Sequence, residues 1–225
     1  FKDTLFYISV GGSRMICNRL VMFVAVLPLV FCCMSAEFST SANSFETSAK
    51  EVVLIDDYTQ KVMLSKNSNR PMFPASMSKV MTLFIAFERL SDGTLSMSDK
   101  FLVSEKAWRM GGSKMFVEVN TKVTVRDLLY GIIVQSGNDA CIVLAEGLAG
   151  SEERFVDLMN ATAQTLGMSD SHFKNVTGWP HNDHYTTASD LATLAHSIIH
   201  KFPKLYRLFQ EKSFTYNGIK QGNRN

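Results

Sequence analysis

The chain has 225 residues, 46% of them hydrophobic, with 23 Lys and Arg against 21 Asp and Glu, for a formal net charge of +2. That length suits one medium domain, or one domain with an appendage, and the apolar content is enough for a core. The near-neutral balance gives no electrostatic footprint for nucleic acid or an acidic surface, and no repeat, low-complexity tract or disordered composition is present.

The sequence begins at Phe1, and Met15 reads as the natural start. Arg19 then supplies a positive charge, Leu20 to Cys33 is apolar, and Ser35 and Ala36 are small. This order predicts a secretory signal. The run is shorter than the ~20 residues of a membrane span. Phe31 before Cys32 is too large for a lipoprotein site. Residues 37–50, rich in Ser, Thr and Ala, read as a tether. Cys17, Cys32 and Cys33 lie in the proposed signal, so Cys141 alone remains in the exported chain. A disulfide framework and a cysteine metal site are therefore not expected.

Val52–Ile55 and Lys61–Leu64 flank a turn-like Asp56–Gln60 and predict an antiparallel hairpin. A helix is expected from Pro74 to about Leu90, closed by Ser91-Asp92-Gly93. Its residues leave little polar face, so it should be buried on most sides. Thr124 with Asp127 forms a capping box for a second helix, which breaks at Gln135-Ser136-Gly137-Asn138. A further helix runs from Asp139 to Ala149 with Gly150 as its stop, and Ser151 opens another that ends at Gly167. Residues 168–186 form a long loop with His172, His181 and His184. Thr187–Asp190 starts a helix with apolar residues at 191, 194, 195, 198 and 199, which Phe202-Pro203 ends. Ser213–Tyr216 is strand-like, and Asn217-Gly218 signals a turn.

The chemistry concentrates at Ser76 and Lys79. Residues three apart on a helix share a face, with Cβ atoms about 5–6 Å apart. A serine needs an adjacent base to become a nucleophile, and burial lowers a lysine's pKa toward that task. Lys106 and Lys114 lack such a setting and are expected to be solvated. The polar Ser136-Gly137-Asn138 corner is conspicuous between two apolar helices, although Ser, Gly and Asn are also ordinary turn residues. His181-x-x-His184 has no third ligand at a diagnostic spacing, and His196-x-x-x-His200 has no acidic neighbour in sequence, so neither predicts a metal. Asn160-Ala161-Thr162 and Asn175-Val176-Thr177 are glycosylation sequons in form.

Ser-x-x-Lys followed by Ser-x-Asn is the order found in penicillin-binding proteins and serine β-lactamases. Pro74-Ala75-Ser76-Met77-Ser78-Lys79, Gln135-Ser136-Gly137-Asn138-Asp139-Ala140 and His184-Tyr185-Thr186-Thr187-Ala188 resemble the D-alanyl-D-alanine carboxypeptidases, the low-molecular-mass penicillin-binding proteins. Gly112-Ser113-Lys114-Met115-Phe116 and Phe214–Gln221 are similar to the same family, so the resemblance spans about Lys50 to Asn225. It implies an α/β (α+β), β-lactamase/transpeptidase-like fold: a helical subdomain plus an antiparallel sheet. It implies that Ser76 forms an acyl-enzyme and Lys79 is the base. It further implies that Ser136 relays a proton to the leaving amine, while Asn138 binds the substrate amide and holds Lys79. The expected partners are a peptidoglycan stem peptide ending in D-Ala-D-Ala and β-lactam inhibitors, with no cofactor or metal. A serine β-lactamase, or a degenerate peptidoglycan-binding protein, are the alternatives.

The third motif, Lys-Thr-Gly, is not in the sequence, and Lys220-Gln221-Gly222 falls in a family segment upstream of it. The expectation is upstream residues and a signal over 1–36, a tether over 37–50 and a partial catalytic domain over 51–225. That domain should be exported to the periplasm or the outer face of the cytoplasmic membrane. It should lack later sheet strands, leave the first hairpin's apolar face uncovered and edge unpaired, and be inactive alone. Membrane attachment is not determined by these residues.

Overall fold

The computed structural model describes residues 4–9 and 47–223. The proposed signal from Met15 to Ala36, and the tether up to residue 46, lie outside the described residues. Three strands form one sheet: β1 (Thr4–Ser9), β2 (Glu51–Asp56) and β3 (Val62–Lys66), in that order. β1 runs parallel to β2, pairing Thr4 with Glu51 through Ser9 with Asp56. β2 and β3 form the predicted antiparallel hairpin, with a register irregularity at Leu54/Ile55.

A single 3-10 turn, Ala75–Ser78, leads into α1 (Lys79–Ser91), so the expected helix begins with a tighter turn. Phe84 and Phe87 of α1 are fully buried and meet Phe202 edge-on, with ring centroids 5.3 and 6.1 Å away. Two short elements follow that were too brief to show a pattern, β4 (Lys100–Leu102) and α2 (Glu105–Arg109). β4 pairs antiparallel with β5 (Lys122–Thr124).

α3 (Val125–Gln135) is capped by Thr124, whose Oγ1 accepts from the Asp127 N–H at 3.1 Å. α4 (Asn138–Ala149) ends at Gly150, whose φ of +82° suits glycine. α5 (Glu152–Thr165) and α6 (Ala188–Lys201) carry the Ser151 and Thr187 caps predicted for them. After the short α7 (Pro203–Tyr206), β6 (Ser213–Tyr216) and β7 (Ile219–Gly222) turn through Asn217-Gly218, both at positive φ. That is the turn geometry the dipeptide favours. This hairpin lies on α3, where Phe214 stacks on Tyr130 at 5.6 Å.

The main core lies between α1, α3, α4 and α5. A smaller one joins the sheet to α6 through Val53, Ala188 and Ala192, with Ile55 and Met72 at its margin. The hairpin's apolar face is therefore not uncovered as expected: α6 covers it, and Val52 and Val53 are buried. β1 lies along β2, so of the hairpin's two strands β3 is the one left as an unpaired edge. The exposed strand is β3, where Val62 and Met63 face solvent. Among the described residues, no helix is long and apolar enough to cross a membrane.

Candidate active site

The chain enters the nucleophile turn through Ala75 at φ +48°, a left-handed conformation that costs a non-glycine residue roughly 1–2 kcal/mol. Gly178, at φ +81°, packs against the Ala75 carbonyl so closely that a Cβ there would overlap it. Glycine at 178 thus allows one loop to touch the backbone that presents Ser76.

Lys79 Nζ lies 3.0 Å from Ser76 Oγ and donates to the Thr177 carbonyl at 2.8 Å. Lys79 is buried. Burial pulls its pKa below the ordinary 10.5, opposed by the nearby Cys141 sulfur. Cys141 is itself buried and pushed up to about 12, so it stays a thiol at neutral pH. A neutral Lys79 gives one N–H to Thr177 and turns its lone pair to the Ser76 hydroxyl, the arrangement a general base requires.

The loop behind this contact builds itself. Asn175 Oδ1 accepts from the backbone N–H groups of Thr177, Gly178 and Trp179 at 3.2, 2.8 and 2.9 Å. Thr82 Oγ1 donates to the Val176 carbonyl at 2.9 Å. One face of α1, at Lys79 and Thr82, therefore holds two consecutive carbonyls of the loop. Asn160 uses both amide atoms on Phe173, accepting from its N–H at 2.8 Å and donating to its carbonyl at 3.0 Å. Both sequon asparagines are thus engaged in folding contacts.

The Ser136 corner is a helix stop with a serine in the place usual for glycine. Ser136 sits at φ +54°, its N–H donates to Ile132, and the Gly137 N–H reaches back to Gly131. The Ser136 bond, from a left-handed residue to the carbonyl four back, is the αL cap. Gly137 is held to zero side chain by space: a Cβ would come within 3.0–3.2 Å of Asp139 Oδ1, Gly131 O and Met115 N. Asp139 is fully buried and accepts from the N–H groups of Met115, Phe116 and Val117 at 2.9, 2.9 and 3.2 Å. It ties the Gly111–Val117 segment to the corner, a role sequence reasoning missed.

Asn138 donates from Nδ2 to the Gly111 carbonyl at 2.8 Å, and its N–H donates to Ser113. The resemblance implies a hold on Lys79 by Asn138; in the structure Lys79 Nζ donates to the Thr177 carbonyl. Ser136 Oγ has no protein hydrogen-bond partner among the described residues and is half-buried. α4 begins beside Lys79, close enough for Cys141, one turn in, to interact with its charge.

His184 is the inward member of its pair. It contacts the buried Ser78 hydroxyl through Nε2 at 2.8 Å and accepts from the Lys174 N–H at Nδ1, which fixes the proton on Nε2. Burial, then the charges of His172 and His181, lower its pKa to about 4. His181 stays at the surface, so the two do not converge on a metal. A cavity of 280 Å³ opens beside the nucleophile turn, lined by Phe73, Ala75, Trp179, His181 and His184 among others. Lys106 is ion-paired with Glu152 and Glu153 at 2.8 and 3.1 Å rather than simply solvated. Lys114 donates to the Trp108 carbonyl.

The chain is 46% identical over 151 residues to D-alanyl-D-alanine carboxypeptidase DacF of Bacillus subtilis, covering 67% of this chain and 39% of that protein. It superposes on the crystal structure of the carboxypeptidase DacD of Francisella tularensis with a TM-score of 0.76 and 41% identity, over 80% of this chain and 44% of that one. Penicillin binding protein 5 of Haemophilus influenzae gives 0.77 and 36%, over 80% and 53%. The chain thus spans about half the length, or less, of these relatives. Its sequence matches the family described as D-alanyl-D-alanine carboxypeptidase, peptidase S11, over residues 36–225. The chain belongs to that family.

Proposed function

We propose that this chain carries the nucleophilic half of an exported serine-type D-Ala-D-Ala carboxypeptidase that trims peptidoglycan stem peptides. The observation that supports this most directly is the 3.0 Å contact between Ser76 Oγ and a buried Lys79 Nζ. Lys79 takes the Ser76 proton as Oγ attacks the carbonyl carbon of the penultimate D-alanine. The first backbone N–H groups of a helical turn have no intrahelical partner, so the Ser76 N–H is one donor for the oxyanion. As the peptide C–N bond breaks, the terminal D-alanine leaves as the amine, protonated through Ser136. Water then hydrolyses the ester and frees Ser76. Asn138, anchored on Gly111, presents its remaining amide acceptor to the substrate's backbone.

β-Lactams acylate the same oxygen, in keeping with the name of the similar Haemophilus protein. The cation and the second oxyanion donor that the resemblance assigns to a Lys-Thr-Gly strand have no counterpart in these 225 residues. Losing one oxyanion donor costs about 10²–10³ in rate, so acylation by this stretch alone is expected to be slow.

Labelling with a fluorescent penicillin, followed by peptide mass mapping, tests the reading. The expected result is a slow, long-lived adduct on Ser76 that Ser76→Ala abolishes. Fast stoichiometric labelling overturns the slowness. Rapid penicillin turnover points to a β-lactamase. No Ser76 adduct in a protein that also carries a Lys-Thr-Gly strand overturns the nucleophile.

A further inference from the structure

A second polar cluster lies outside the Ser76 site, where the turn after β2 meets α6. His196 and His200 are four residues apart, so they share a face of α6, and their ring centroids are 4.2 Å apart. Asp57, remote in sequence, supplies the acidic neighbour that the histidines lack locally. Its carboxylate lies 2.8 Å from His196 Nδ1, and 3.0 and 2.9 Å from His200 Nε2. One ligand atom from each residue falls within 4.8 Å of the others, a grouping suited to a metal ion.

Two features set this cluster apart from a chance surface contact. The Asp57 side chain is only 9% exposed, although it bears a full charge. His196 Nδ1 also faces two groups with opposite demands, the Asp57 carboxylate and the Gln60 Nε2 amide at 3.3 Å. The first needs a proton on Nδ1, and the second needs a lone pair there, so one tautomer cannot serve both. A cation among the three side chains would take the Nδ1 lone pair and the carboxylate together, while Gln60 Nε2 keeps its hydrogen bond to the Asp57 carbonyl at 2.6 Å.

We propose that Asp57, His196 and His200 bind a zinc ion that pins the β2–β3 turn to α6. Two imidazoles and one carboxylate suit zinc, whereas calcium and magnesium prefer all-oxygen shells. With metal–ligand bonds of about 2.0–2.2 Å, neighbouring ligand atoms in a tetrahedral shell sit about 3.3–3.5 Å apart. The observed gaps need to open by a few tenths of an ångström. His196 and His200, with side chains 39% and 51% exposed, have room to do so. Three protein ligands leave a fourth position for water.

The test uses the full chain, stripped with EDTA and titrated with zinc chloride at pH 7.5 by calorimetry and thermal unfolding. One equivalent should bind, and the midpoint should rise by about 5–10 °C at free zinc a hundredfold above Kd. Cobalt should give the visible absorption of a four-coordinate site. Asp57→Asn and His200→Gln should each remove the rise and the absorption, with each variant's EDTA midpoint as its own baseline. No stoichiometric binding by the unaltered chain overturns the proposal. So does a rise that persists in both variants, which would place the metal elsewhere, such as the His172/His181 loop.

Discussion

Around Lys79, α1 and α4 form a wall in which Met81, Phe84, Phe87, Cys141 and Leu144 are all buried, while the hairpin of β2 and β3 leaves Val62 and Met63 more than half exposed. The few polar groups inside the wall are tied to specific partners: Lys79 to Ser76 and Thr177, Thr82 to Val176, Asp139 to three backbone amides. On the hairpin side the polar contacts lie at the surface and include two half-exposed histidines on one carboxylate. The dryness of the first region pulls the Lys79 pKa down, the direction that a general base needs. The second region has no such demand and is held by α6 and β1. Damage to the first should reach both chemistry and stability, and damage to the second should be mild.

The sharpest break of this contrast is at Lys79. Lys79→Met and Lys79→Arg should each slow penicillin acylation by about 10²–10⁴. Arginine keeps the charge but cannot lose its proton, so a rescue by arginine would show that charge, not basicity, matters. With Lys79 as the proposed base, the acylation rate of the unaltered chain should rise with pH through a value below 10.5.

Gly178→Ala comes next. The added methyl meets the Ala75 carbonyl, and the residue is held at positive φ. Overpacking of this kind costs about 1–3 kcal/mol, and the positive φ adds about 1 more. The thermal midpoint should fall by roughly 5–15 °C. Acylation should slow as well, because the displaced backbone carries Ser76.

His184 gives a smaller, pH-dependent effect. Its folded pKa of about 4 lies below the ordinary 6.5, so the unfolded chain binds the proton more readily. Stability that is complete above 6.5 should decline as pH falls toward 4, by up to about 3 kcal/mol. Urea midpoints measured from pH 7.5 to 4.5 check this, and His184→Gln should flatten the decline. At the bottom of the scale, Val62→Thr on exposed β3 should change stability by less than about 0.5 kcal/mol. A larger loss would mean that the hairpin is not the tolerant region described.

The helices were readable because their caps are local. Thr124, Ser151 and Thr187 each satisfy an N–H three residues on. The Ser76/Lys79 pair was readable for the same reason, since three residues of spacing set the contact. What escaped were partners supplied from far along the chain. Thr177, which holds Lys79, lies 98 residues away. Asp139 reaches 22 to 24 residues back to the 115–117 segment. Asp57 reaches His196 across 139 residues. Such contacts depend on how elements stack, and neither the period of a helix nor that of a strand encodes them. β4 and β5 escaped because three residues are too few to alternate.

The distance from Asp57 to His196 also sets a timetable. Chains are synthesised at about 5–20 residues per second, so α6 emerges roughly 7–28 seconds after the hairpin it covers. During that interval Val53 lacks the helix that will shield it, and the strands present an apolar ribbon to any neighbour. Low contact separation within α3, α4 and α5 lets that part form early, whereas the sheet side must wait. Assistance during biogenesis should therefore matter most for residues 51–66, although the exposed strand β3 within them tolerates substitution once the molecule is complete.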